Sequence, residues 1–179
     1  VLPAAYMANI ARYVADGGAV LIASGPDLAG EDGLYYTPLS DIIAAAPTGQ
    51  VLEGPFKPEL TEQGKKHPVT SGLPGSGGDS PSWGRWFRLV ETTTSTGETV
   101  MSGLDGKPLL VLARQGEGRV AQLLSDQGWL WSRGFEGGGP QTELLRRMAH
   151  WLMKEPDLEE EALEGNQRAG NLIIERRTM

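Results

Sequence analysis

Few residues in this sequence combine the types and spacing that chemistry needs. Ser24 is the first. It closes the apolar run Ala19-Val20-Leu21-Ile22-Ala23 and is followed by the sharp break Gly25-Pro26. A serine at such a strand-to-turn corner is where a hydrolase places its nucleophile, in a G-x-S-x-G frame, and it needs a histidine base within hydrogen-bond reach. The frame here holds Ile22 and Pro26 in place of glycines, and the chain has two histidines, His67 and His150. Helical spacing puts His150 on the outer face of a late helix, and His67 stands before Pro68 in a loop. Ser24 therefore reads as a small residue at a tight turn, with catalysis as the alternative. His67 reads as a residue that fixes a turn by bonding nearby backbone, with a ligand contact or acid/base work as the alternative.

The second set is aromatic and basic. Trp83, Trp86 and Phe87 form one cluster and Trp129, Trp131 and Phe135 another, with Arg85, Arg88 and Arg133 interleaved. Tryptophan and arginine together are the composition of interface hot spots, and exposed indoles can stack on sugars. Tryptophan is also highly buried on average, so a binding surface and a core patch under a loop fit equally well. Gly137-Gly138-Gly139-Pro140 leads into a helix N-terminus that could hold an anion. It lacks the Lys and Ser/Thr of a phosphate loop and reads as a cap. Glu155, Asp157, Glu159, Glu160, Glu161 and Glu164 have no calcium-loop spacing and read as a solvated face. Neither a metal nor a cofactor is expected.

Composition bounds these readings. The chain has 179 residues, 39% hydrophobic and 22% charged, which are globular values. That length fits one domain plus an appendage. The net charge is −7 and no Lys/Arg stripe forms, so nucleic acid is not an expected partner. The absence of cysteine excludes disulfides and thiolate chemistry. No apolar run approaches the roughly 20 residues of a membrane span. The opening at Val1, straight into a helical pattern, reads as a piece of a longer protein whose first strands lie upstream.

The elements that must position these residues follow from periodicity. Met7, Ile10, Ala11 and Val14 mark one face of a helix that Gly17-Gly18 ends. Ala19 to Ala23 reads as a strand buried on both faces. Thr37-Pro38 starts a short helix through Leu39, Ile42 and Ile43. Residues 51–58 read as an edge strand, because of Pro55 and Pro58. Thr61 to Lys66 reads as a turn of helix before His67-Pro68, and residues 71–84 form a long Gly/Ser/Pro loop of the kind that is functional or mobile. Strands are expected over 87–93 and 98–102, and the clearest hairpin joins 108–113 to 119–124. Pro140 and Pro156 bracket a last long helix, with Leu144, Leu145, Met148, Trp151 and Leu152 inward and Glu143, Arg147, His150 and Lys154 outward. Asp157 with Glu160 suggests a capping box, residues 165–170 a linker, and Leu172 to Arg177 a strand.

Helix, Gly17-Gly18, apolar strand and sharp turn together resemble the class I glutamine amidotransferase-like fold. Active members carry a cysteine at that turn and a His-x-Glu after a late strand. Here Ser24 takes the first position, and Leu124-Ser125-Asp126-Gln127 stands where the second would follow. The sequence is more closely similar to amidotransferase-like domains of large bacterial membrane-anchored proteins. That similarity rests on Tyr13-Val14 with Gly17-Gly18, Tyr36-Thr37-Pro38-Leu39, His67-Pro68-Val69-Thr70, Gly118-Arg119-Val120, Ser125-Asp126 and Trp129-Leu130-Trp131.

The resemblance implies a three-layer α/β domain over residues 1–155: a mostly parallel, flavodoxin-like open sheet flanked by helices, with a late β-hairpin. Residues 156–179 would be a short acidic helix, a linker and a strand leading to a following domain. The expected function is a non-catalytic interaction or ligand-sensing module, from the soluble portion of a bacterial inner-membrane protein. Its partners would be other protein domains or a second copy of itself. Two alternatives stand beside it: a Ser24-based hydrolase or acyltransferase, and a carbohydrate-binding module using Trp83, Trp86, Trp129 and Trp131.

Overall fold

A computed structural model describes residues 2–78, 80–94, 96–155, 158–159, 162–168 and 171–177. Helix α1 spans Ala4–Ala15 and buries Met7, Ala11 and Val14, the expected face. Gly17 follows at φ 111°, a left-handed conformation that glycine adopts without a Cβ penalty. A Cβ at Gly18 would lie 2.3 Å from the exposed Tyr13 ring, which would have to swing aside. Strand β1 (Ala19–Ala23) leads out of this cap. Thr37 caps a 3-10 turn over Pro38–Asp41, its hydroxyl accepting from Leu39 N.

Strands β2 (Ala45–Phe56), β3 (Glu59–Leu60), β4 (Trp86–Thr94), β5 (Glu98–Ser102), β6 (Pro108–Gln115) and β7 (Gly118–Leu123) come next. A five-stranded sheet has the order β1-β7-β6-β5-β3. Only β1 and β7 run parallel; β7–β6, β6–β5 and β5–β3 are antiparallel. β2 and β4 form a separate antiparallel pair. The mostly parallel, three-layer flavodoxin-like sheet expected from the sequence is therefore not the architecture. The reason is connection length. β5, β6 and β7 follow one another through residues 103–107 and 116–117, whereas a parallel neighbour needs a crossover of a dozen or more residues. The β6–β7 hairpin lies where the two apolar runs and the glycine-bearing turn between them placed it.

β7 is an interior strand, with every residue buried. β1, read as buried on both faces, is instead open on one, where Leu21 and Ala23 are exposed. Its only partner among the described residues is β7, and Leu21 is 41% exposed. Side chains from α1, Ile22, Val120, Leu39, Ile42 and Ile43 make one apolar cluster. A larger cluster joins β4, β6 and β7 to helix α3 (Gln141–Leu152) through Leu144, Met148, Trp151 and Leu152. Leu145, expected to face inward, is 41% exposed. Arg147, expected outside, is mostly covered and donates to Ser71 O at 2.6 Å, pinning the start of the long loop.

The two-stranded pair is fastened to the larger sheet by polar groups. Gln122, fully buried in β7, accepts from Ala45 N at 2.9 Å and donates to Ala45 O at 3.1 Å, so its amide acts as a length of strand. Val90 N donates to Leu124 O at 2.9 Å and Ser125 Oγ to Arg88 O at 2.7 Å. At the other end of β7, buried Arg119 donates to Trp151 O at 2.5 Å, pairs with Glu159 at 2.5 Å and lies over the Trp151 ring at 4.9 Å. Glu159, read as part of a solvated face, is thus an ion-pair partner.

Beyond α3, β8 (Ala162–Arg168) pairs antiparallel with β9 (Asn171–Arg177), so the linker expected over 165–170 is strand through Arg168. The expected capping box of Asp157 and Glu160 lies outside the described residues. No helix among the described residues is long and apolar enough to cross a membrane.

Replacing Gln122 with leucine keeps the volume and strips both hydrogen bonds, leaving Ala45 N–H and C=O buried without this partner. An unmet buried group costs about 1–3 kcal/mol. The urea midpoint of Gln122→Leu should fall by the equivalent of about 3 kcal/mol. A change within about 0.5 kcal/mol, the range of ordinary surface substitutions, would show that the amide does not hold the two sheets together.

Candidate interaction site

The two aromatic clusters of the sequence meet in space. Trp83 and the first residues of β4 come from one side. The other is the segment after β7, with helix α2 (Trp129–Ser132) and the turn over Phe135–Gly137. Trp131 stands between Trp83 and Trp86, with ring centroids 5.3 and 4.8 Å away. Phe56 meets Trp86 edge-on at 6.5 Å, and Phe87 meets Phe135 at 5.7 Å. Such tilted and edge contacts suit the quadrupoles of the rings.

Trp83, Trp86 and Trp131 are 1–3% exposed, so these three indoles are core. Trp131 Nε1 donates to Gly84 O and Trp83 Nε1 to Pro74 O, each at 2.8 Å. The second bond, with Leu73 buried beside it, gives the Gly/Ser/Pro loop an anchor. Trp86 Nε1 has no partner among the described residues.

What faces solvent is the rim. Trp129 is 55% exposed, Phe135 is partly exposed, and Arg133 lies open on the same segment. Arg85 grips Glu136: Nε donates to Oε2 at 2.9 Å, Nη2 reaches Oε1, and Arg85 N donates to Oε2 at 3.1 Å. Gly84 N donates to Gly138 O at 2.7 Å beside this clasp. The Gly137–Gly139 stretch, read as a cap, thus also serves packing: a Cβ at Gly139 would lie 2.3 Å from the Trp131 indole. Arg88 pairs with Asp126 at 2.6 Å, and Gln127 Oε1 accepts from Phe87 N at 2.6 Å. Hydrogen bonds from Arg85 hold the Glu136 carboxyl down at about 2, and the same contacts raise Arg85.

The remaining sequence candidates are not brought together. Ser24 is buried, and its Oγ has no hydrogen-bond partner among the described residues, so neither histidine is bonded to it. His67 is 1% exposed; its Nδ1 accepts from Val69 N at 3.1 Å, and its ring packs edge-on to Trp151 at 5.8 Å. His150 Nδ1 meets Glu155 Oε2 at 2.6 Å.

Among the described residues, no three His, Asp or Glu side chains stand close enough to hold a metal. A cleft of about 400 Å³ lies elsewhere, between α1, the 3-10 turn at Pro38 and the β6–β7 turn. Arg12, Asp41 and Gln115 are its long polar side chains. Sequence reasoning missed Gln122, Arg119 and Glu136. Only Arg119 and Gln122 left a signal, as polar residues inside the apolar run 119–124.

No protein-family model matches the chain, and no curated protein does. Among solved structures it is similar to the cytoplasmic protein STM3548 from Salmonella typhimurium, with a TM-score of 0.65 and 21% identity over 82% of this chain. It is similar to the cytoplasmic protein STM1381 from Salmonella typhimurium LT2, with a TM-score of 0.64 and 21% identity over 85% of this chain. The chain spans 59% and 62% of the lengths of those two proteins. A cold-adapted β-galactosidase from Rahnella sp. R3 matches 89% of this chain with 23% of its own, at a TM-score of 0.55 and 14% identity. These likenesses show a shared fold.

The Arg85–Glu136 clasp gives a pH prediction. Glu136 falls from the ordinary 4.5 to about 2 in the folded chain, so its contribution to stability is complete above about pH 4.5 and is lost as pH falls toward 2. Glu143, held at about 2 by Arg146 and Arg147, loses its contribution over the same window. In an acid titration followed by urea midpoint, Glu136→Gln should lose stability less steeply than the parent between pH 4.5 and 2. Superimposable curves would show that the clasp contributes nothing.

Proposed function

We propose that this chain is a non-catalytic interaction module whose contact surface is the rim formed by Trp129, Arg133 and Phe135. One observation carries the reading: Trp129, Arg133 and Phe135 are exposed together on the segment that also supplies Trp131 to a group of three buried, interlocked indoles. A rigid aromatic anchor loses little freedom on binding, and arginine beside it is the usual hot-spot company. The partners that suit such a rim are other protein domains or a second copy.

The reading without catalysis is supported by Ser24 Oγ, which meets no base. A sugar-binding reading has less to stand on, because Trp83, Trp86 and Trp131 are covered and only Trp129 offers an open indole. The order of the chain's motifs supports kinship with amidotransferase-like domains, apart from their mostly parallel sheet, and a place in the soluble portion of a bacterial inner-membrane protein.

Photo-crosslinking tests the surface. A benzophenone amino acid at position 129 should give discrete protein adducts in cells, and Arg133→Glu should weaken them about tenfold or more, as loss of a hot spot does. The same probe at Tyr36, which is 61% exposed, serves as the control. Equal adducts at 129 and 36 would remove the proposed surface. A measurable esterase activity abolished by Ser24→Ala would replace the reading with the hydrolase one.

A further inference from the structure

The start of β7, the end away from the Trp129 segment, carries a cluster of charge. A cleft of about 300 Å³ there is lined by Arg114, Arg119 and Lys154, together with Glu117 and Glu159. Arg119 is its buried member, 2% exposed. Nη1 of that guanidinium donates to Trp151 O and Nη2 to Glu159 Oε1. Its Nε, equally buried, has no hydrogen-bond partner among the described residues.

Glu159 is short of oxygens for this cluster. One of them meets Arg119, and the other accepts from Arg114 Nη2 at 3.1 Å. Neither reaches the Arg119 Nε–H. Yet Nε and Nη2 form the edge by which a guanidinium grips an oxyanion with two parallel bonds. A buried donor left unmet is costly, so the carboxylate serves this edge incompletely.

Lys154 adds an independent sign. Helix α3 closes with Lys154 N donating to Trp151 O and Glu155 N to His150 O, the paired bonds of a Schellman end. The residue in that corner is left-handed, and Lys154 has φ 62°. Glycine would sit there without a Cβ penalty. The lysine instead sends its Nζ to Glu117 O at 2.7 Å, and it has no carboxylate partner among the described residues. Trp151 O receives both Lys154 N and Arg119 Nη1, which ties the two cationic residues together.

We propose that Arg119, Arg114 and Lys154 form a binding site for a tetrahedral oxyanion of the phosphate class, and that the Glu159 carboxylate holds this site in the chain alone. A phosphate has more oxygens than a carboxylate. It can meet the Nε–Nη2 edge of Arg119 and still bond Arg114 and Lys154. Binding exchanges one anion for another, so the buried guanidinium stays paired in both states. The exchange frees Glu159, and with it the chain between α3 and β8. None of this rests on the Trp129 surface.

Calorimetric titration of the whole chain with inorganic phosphate, at an ionic strength held constant with chloride, tests the site. Glycine suits the left-handed corner, so Lys154→Gly should fold, and it should bind phosphate about tenfold more weakly, as loss of a charged hydrogen bond implies. Glu159→Gln keeps the side chain's size, removes the competing charge and should bind about tenfold more tightly. Phosphoserine titrated in parallel separates the sources. Tighter binding than phosphate assigns the site to a phosphorylated molecule, and weaker binding assigns it to the free ion. Phosphate binding that Lys154→Gly leaves unchanged overturns the proposal. So does a Glu159→Gln chain that binds phosphate no more tightly than the parent.

Discussion

One fully buried amide holds the joint on which the rest of this molecule depends. Gln122 sits near the end of an interior strand, β7, and both polar atoms of its amide bond Ala45. A side-chain amide has the same donor and acceptor as a peptide group, so it extends pairing sideways where no strand can reach. Through it the β2–β4 pair is held against the main sheet, and β4 in turn carries the first half of the aromatic site. An apolar residue there would satisfy the core but leave Ala45 buried and unpaired.

The aromatic site is layered. Its inner layer is apolar contact among Trp83, Trp86 and Trp131, each made with little exposure. Around this lie bonds that tie chain segments far apart in sequence: Arg85 to Glu136, Arg88 to Asp126, Gln127 to Phe87. Exposed ion pairs are individually weak. Their use here is positional, since they tie the segment bearing Trp129 and Phe135 to the start of β4.

Much of this was legible in the sequence, for physical reasons that can be named. The spacing of Met7, Ala11 and Val14 repeats with the helical turn, and Thr37 before Pro38 is a cap because its hydroxyl can reach Leu39 N. The run Ala19–Ala23 misled because apolar character reports what side chains prefer, not which of its faces is covered. The strand-rich stretch from Trp86 to Leu123 carried its own warning: it has no room for crossover helices, which rules out a mostly parallel sheet. Indole burial was not legible, because the same tryptophan spacing serves a surface and a core. Nor were the partners of Arg85 and Arg88, which lie 51 and 38 residues away.

Arg119 has a mechanical side. It stands opposite Ala19, at the end of the β1–β7 pair where the chain enters from α1. Its guanidinium holds Trp151 O and Glu159, so the chain leaving α3 is moored at that same end. Tension between the two flanks of the domain would thus arrive at one end of two adjacent parallel strands. Such a pull peels strands apart one bond at a time instead of sliding them past each other.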